Sequence, residues 1–359
     1  MKNSLGTNVI LTLFGESHGK AIGAVLDGLT PGIKVDEEKI KNLLNKRRPN
    51  EKIDTSRIEE DKFEILSGVY NGYTTGTPIC IVIPNKENNS NDYEAWRGKA
   101  RSGHADYTGY LKYHGFEDYR GGGHFSGRLT AAIVAAGSIA LAALENKNIY
   151  VTSHIKECGS IIDSDFKGTI DEIENLKDHL TLDNLDELIN QEVLKIREQG
   201  DSIGGIIQTM IYNLPSGVGE PVFDSLESLI SHALFSIGGI KGIEFGDGFK
   251  MASRLGSEVI DEFHYNNGKV VSETNHNGGI NGGISNGLPI IFNTAIKPTS
   301  SIFKEINTID FIKEENATLK LTGRHDPAIV RRVGLVITSL VAVVLCDILE
   351  GRFGTDYFR

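Results

Sequence analysis

Two apolar stretches, each entered through a polar cassette, set the terms on which this chain can fold. YRGGGHFSGR runs into LTAAIVAAGSIALAAL at residues 129–144, and GRHDP runs into AIVRRVGLVITSLVAVVLCDIL at residues 328–349. Their small and aliphatic residues predict buried helices, so each must lie inside the fold. The second apolar run, Val333 to Leu349, is interrupted by Thr338, Ser339 and Asp347 and reads as a core helix that falls short of a membrane span. The cassettes are rich in glycine, arginine and histidine. They place free backbone N–H groups and the positive end of a helix dipole where an anion is favoured. Two units of one design predict an internally duplicated architecture with both helix N-termini near one site.

The segment leading into the first helix is unusual in itself. Ser102 to Arg128 holds seven glycines, three histidines and one large aliphatic residue, Leu111. Tyr107, Tyr110, Tyr113, Phe116 and Tyr119 are spread through it, which disfavours disorder. It reads as a long polar loop without a core of its own, forming the wall of a binding site.

Composition narrows the partners. At 359 residues the chain can bury a large core, and no Pro- or Ser-rich linker divides it, so residues 1–359 are expected to form a single domain. A net charge of −11 argues against nucleic acid, because phosphate-backbone binding needs a broad basic surface. Yet Arg47, Arg48, Arg57, Arg97, Arg101, Arg120, Arg128, Arg324, Arg331 and Arg332 sit in or beside the polar cassettes. Arginine concentrated locally in an acidic protein points to a small anionic ligand in a pocket. Cys80, Cys158 and Cys346 are far apart and form no CxxC pair, which indicates neither zinc nor disulfides and favours a reducing compartment. The first residues carry too short an apolar run for a signal peptide. The chain is expected to be cytoplasmic, with no membrane partner.

Periodicity predicts strands at Asn8–Phe14 and Ile79–Pro84 and helices over 36–47 and 129–145. Leu185 to Gln199 reads as an exposed amphipathic helix with a solvated face. Beyond Ser202 the pattern becomes strand (IGGIIQTMIYN), helix (LESLISHALFSI) and strand (GIKGIEFGDG), with another strand in LPIIFNTAI.

Six histidines, at positions 18, 104, 114, 124, 276 and 325, lie among glycines or charged residues, where a group titrating near neutrality can move protons. GESHG at 15–19 follows a strand end and is not the GxSxG of serine hydrolases; His18 is a candidate general acid, and Ser17 a hydrogen-bond donor. His104 lies two residues from Asp106, a pattern suited to acid–base or phosphate-facing work better than to metal, since no HExxH or second HxH occurs. Asp326 is placed to cap the second helix, with Pro327 at the first helical position, and can still face a ligand proton. Lys297-Pro298-Thr299-Ser300-Ser301 offers a cation and three hydroxyls to a phosphate. Asn277 to Gly283 can form anion-binding nests, although neither GxGxxG nor a Walker A motif is present. These cassettes point to an enzyme for a phosphorylated small molecule that also holds a phosphate-bearing cofactor.

GESHG, ILSGVYNGYTTGTPI, GHADYT, DYRGGG, VAAGSIA, KGIEFGDGF, NGGINGGISNGLPI, KPTSSI and GRHDP occur here in the order found in chorismate synthases. The chain resembles that family over essentially its whole length. The resemblance implies an α+β fold, a β-α-β sandwich with helices between two antiparallel sheets, internally duplicated and assembled as a homotetramer. It implies conversion of 5-enolpyruvylshikimate 3-phosphate to chorismate and phosphate by a 1,4-anti-elimination, with reduced FMN and no net redox change. NADPH is a candidate reductant for that flavin. His18 matches the histidine associated with protonating reduced flavin, and His104 the one near the substrate or departing phosphate. Asp326 matches the acid paired with flavin N5 as base, and Arg48 an arginine assigned to substrate or NADP. The FMN positions carried over are His124, Phe125, Ser126, Gly238, Gly239, Gly282, Lys297, Pro298, Thr299, Ser300, Ser301 and Arg324. Some positions depart from the family pattern. GGGRSSARE becomes GGGHFSGRL, Ser102 replaces a proline before GHAD, and Ile53 or Asp54 stands where a second arginine is expected. The competing reading is a flavin- or nicotinamide-dependent oxidoreductase acting on a phosphorylated small molecule.

Overall fold

The computed structural model describes residues 2–49, 53, 61–85, 96–321 and 326–359. Two five-stranded antiparallel sheets enclose the two apolar helices. In the first sheet Ser4–Leu5, Ile10–Gly15, Ala21–Asp27, Ile79–Pro84 and Glu64–Ser67 lie side by side in that order. In the second the order is Ile240–Phe245, Ile290–Ile296, Gly205–Tyr212, Tyr150–Cys158 and Ile161–Ile162. Each sheet precedes one long helix, Thr130–Glu145 in the first half and Val330–Phe353 in the second. The first helix lies on the first sheet, the second on the second sheet, and the helices pack on each other, giving the expected β-α-β sandwich.

Side-chain size explains how two helices share one layer. Alanines at 131, 132, 135, 136, 140 and 143 are buried along the first helix, and a Cβ on its Gly137 would run into Ser339 of the second. Small residues at this crossing let the backbones approach closely, as in ridge-into-groove packing. Two helical stretches, Gly127–Glu145 (the first helix with the turn before it) and Val330–Phe353, are long and apolar enough to cross a membrane, the second reaching 24 residues because it continues to Phe353. However, 83% and 78% of their most apolar stretches lie buried within this fold.

The polar interruptions of the second helix are all hydrogen-bonded. Ser153 Oγ, on the second sheet, bonds both Thr338 Oγ1 (2.8 Å) and Thr209 Oγ1 (2.9 Å), while Ser339 Oγ donates back to Leu335 O (2.8 Å). Asp347 accepts from the backbone N–H groups of Thr7 (3.0 Å), Asn8 (2.5 Å) and Val9 (3.0 Å), tying the N-terminal turn to the far end of the chain. Asp347→Ala, which removes the acceptor for three donors, is expected to lower stability by about 1–3 kcal/mol in urea denaturation.

Two local expectations need correction. Ser102–Arg128 is not a coreless loop: it contains the helix Asp106–Tyr113 and a glycine-rich turn at Arg120–Phe125. Tyr107 and Tyr110 pack on Phe311, and Tyr113 on Phe125, so the helix borrows its core from elsewhere in the chain. Pro327 is not in the first helical turn, because the second core helix begins at Val330. The expected amphipathic helix is present as Asp186–Glu198, with Ile189 and Val193 buried on its inner face.

Candidate active site

Three consecutive glycines form the spine of the site. Gly121, Gly122 and Gly123 have φ of 60°, 84° and 53°, a left-handed run that other residues adopt only with strain. Space demands glycine as well. A Cβ on Gly121 would collide with the His18 imidazole, and one on Gly123 with the carbonyl of Asp118. His18 is therefore seated directly against the turn, only 4% exposed, on the loop following the strand Ile10–Gly15. Ser17 N donates to Gly123 O (3.0 Å), and His124 Nδ1 donates to Gly15 O (2.9 Å), so the GGGHF turn grips both sides of this loop. Because a carbonyl only accepts, His124 carries its proton on Nδ1.

His104 meets the next glycine. A Cβ on Gly122 would stand 3.3 Å from His104 Nε2. The other ring nitrogen, Nδ1, bonds Asp106 Oδ1 (2.7 Å) and so carries the hydrogen. Arg101 grips the same carboxylate, Nε to Oδ2 at 2.8 Å and Nη2 to Oδ1 at 2.7 Å. Burial pushes the Asp106 carboxyl upward, but the bonds from Arg101 and His104 outweigh it and hold it far below the usual range. With both oxygens engaged, Asp106 orients His104 and is a poor metal ligand.

Beyond the turn, the N-terminal ends of both core helices open onto one cavity of about 310 Å³. Arg47, Arg48, Ser126, Arg128, Asp326 and Arg332 line it, with Gly238 at its edge. Asp61 lies in its floor with its side chain fully buried, pairing with Arg47 Nη2 (3.0 Å) and with Arg128. Burial pushes the Asp61 carboxyl up, yet the two guanidiniums hold it below the usual value. Asp326 pairs with Arg332 and accepts from Ala328 N (3.0 Å), forming a turn ahead of the helix. Among the described residues, four guanidiniums and two carboxylates line this cavity, a lining suited to an anion.

The Lys297–Ser301 cassette joins both parts. Lys297 Nζ donates to Gly103 O beside His104 and to Ser300 Oγ (3.3 Å), while Thr299 Oγ1 donates to Asp326 O (2.8 Å). Lys297 N donates to Gly239 O (2.9 Å). Burial, helped by Lys241, lowers the Lys297 ammonium pKa below that of an ordinary lysine.

Not every carried-over position converges. Arg48 and Ser126 line the cavity, but His18 and His104 stand one step along the same turn and do not. Phe125 packs toward Gly109 and Tyr113, beside a smaller cavity of about 80 Å³ that it shares with Trp96, His104 and Tyr110. Pro298 is exposed and Ser301 half-buried. Gly282 is exposed on the hairpin Ile280–Asn281/Ile284–Ser285 and does not line the cavity. His276 pairs with Asp247 (2.7 Å), and His114 is exposed at the end of its helix. Arg324, His325, Asp54 and Arg57 lie outside the described residues. Asp61 and Asn85 escaped the sequence reading altogether: each sits in a strongly polar tract with nothing to distinguish it.

A family model described as chorismate synthase matches residues 9–349. The chain belongs to the chorismate synthase family. It is 44% identical over 348 residues to the chorismate synthase of Pyrococcus abyssi, covering 97% of each chain. It is 46% identical over 368 residues to that of Lachnoclostridium phytofermentans, covering 99% of this chain and 98% of the relative. A crystal structure of a chorismate synthase superimposes with a TM-score of 0.76 at 27% identity, covering 98% of this chain and 94% of the other. Chorismate synthases are lyases of aromatic amino acid biosynthesis, and both the fold and the order of the cassettes here follow that family.

Proposed function

We propose that this chain binds 5-enolpyruvylshikimate 3-phosphate and reduced FMN around the Gly121–Arg128 turn, with His18, His104 and Asp326 moving protons. The family's reaction is the 1,4-anti-elimination that gives chorismate and phosphate. One observation carries the placement: both helix N-termini and four arginines meet on a single cavity beside Asp326. The residues present fit a phosphate-bearing flavin. Lys297, with Ser300 at 3.3 Å, suits its phosphate, and the backbone of Gly238 faces open space. When bound, reduced flavin supplies electron density transiently and recovers it, so no net oxidation results.

The chain's own groups account for the remaining balance. A C–H bond breaks at one ring carbon and its electron pair forms a new double bond; the existing ring double bond shifts toward the carbon bearing phosphate, and the C–O pair leaves with the phosphate. Asp326 stands ready to take the proton, its carboxylate oriented by Arg332 and Ala328 N. Arg48, Arg128 and Arg332 offset the charge that leaves with phosphate. His104, fixed by Asp106, presents Nε2 to the departing group, and buried His18 keeps a proton available at its imidazole.

We propose further that the chain is one domain, cytoplasmic, and assembled as a homotetramer. A continuous core from Val9 to Phe358 supports the first claim. Phe223, Phe249, Leu255 and Tyr265, at 70–85% exposed, support an assembly that covers them. Purified protein with reduced FMN under anaerobic conditions is expected to release one phosphate per chorismate formed. Net substrate oxidation without phosphate release would instead establish the oxidoreductase.

A further inference from the structure

We infer that Asn85 is a positioning residue that holds the His18 loop in register with the anion cavity. Asn85 follows the strand Ile79–Pro84, next to the strand Ala21–Asp27 that the loop leads into. Its side-chain Nδ2 donates to Glu16 O and to Gly19 O, both at 3.0 Å, the two carbonyls that bracket Ser17 and His18. Its Oδ1 accepts from Arg128 Nε at 3.2 Å, and its backbone N donates to Lys20 O at 3.1 Å. Two carbonyls on one side and a guanidinium on the other leave a single orientation for this amide, since the reverse would oppose oxygen to oxygen. Arg128 is itself held by Asp61, whose other oxygen holds Arg47. An unbroken polar chain therefore runs from the cavity wall through Asn85 to the loop that carries His18. From the opposite side the same loop is gripped by Gly123 O and His124, so removing Asn85 releases one face of a two-sided clamp.

The inference rests on His18 as a proton-transfer group, and a double-mutant cycle separates the two claims. Asn85→Ala removes all three side-chain bonds. Asn85→Asp keeps the size and an acceptor for Arg128 but turns an oxygen onto two carbonyls. Both are expected to lower kcat about 10- to 100-fold, as misplacement of a reacting group does, with KM for the phosphorylated substrate within about twofold of wild type. Melting temperatures of both variants are expected to fall by several degrees, as the loss of three part-buried hydrogen bonds implies, with both still folded at the assay temperature. In a His18→Ala background, Asn85→Ala is expected to cost less than about threefold more, because the group it positions is already gone. Fully additive effects, or a rise in KM with kcat unchanged, would overturn the positioning role. A wild-type rate for His18→Ala alone would remove the His18 reading, and the Asn85 role with it, whereas a slow His18→Ala with additive Asn85 loss would sink only the latter.

Discussion

Asp326→Asn is expected to be as slow as Asp326→Ala, both about 10²-fold below wild type in kcat. The comparison separates two jobs that one carboxylate holds. As a turn former, Asp326 accepts from Ala328 N at 3.0 Å, a bond that asparagine reproduces at little cost. As a proton acceptor it needs the anion, which asparagine lacks. A wild-type rate for the asparagine variant would reduce Asp326 to a structural turn. His18→Ala is expected to slow turnover to a similar degree, since the imidazole is buried directly against the glycine turn. Single-turnover phosphate release measures chemistry for both variants free of product release, and melting curves establish that they are folded.

How far the sequence discloses this site depends on the range of the contacts that build it. The two core helices were legible because each is a long, predominantly apolar run, and Ile79–Pro84 because its strand signal is local. The helix Asp106–Tyr113 was not. Tyrosine, threonine and glycine are indifferent helix formers, and what stabilises them is Phe311, some two hundred residues away. His18, His104 and Asp326 stood out because glycine or an ion partner flanked each one. Asp61 did not, lying in a charged run of the kind that is usually solvated, and only the fold shows it sealed between two arginines. Asn85 was hidden for the same reason: its value lies in two carbonyls and a guanidinium from other segments. His124 was singled out by its glycine-rich setting, but only the fold shows its Nδ1 committed to Gly15 O, where it braces the His18 loop.

Asp61 is where the largest stability loss is expected. Its side chain is fully buried, and Arg47 and Arg128 beside it are only 8% and 7% exposed. Asp61→Asn removes the carboxylate from both ion pairs, and removing one partner of a buried pair typically costs about 3–5 kcal/mol. Thr130 Oγ1 still receives Arg47 Nη1 (3.2 Å) and Asn85 still receives Arg128 Nε, so the arginines keep hydrogen bonds while losing their ion pairs with Asp61. The pH dependence provides a control. Because the folded carboxyl titrates below its ordinary value of 3.8, its contribution is complete above that pH and is lost only as pH falls through the lower, folded value. Urea denaturation is therefore expected to show a constant gap between wild type and Asp61→Asn from neutral pH to about pH 5, closing only in stronger acid. A gap that closes already near pH 6 would point to a titrating histidine in place of Asp61. Equal stability at pH 7 would mean that the two arginines hold the cavity wall without their shared carboxylate.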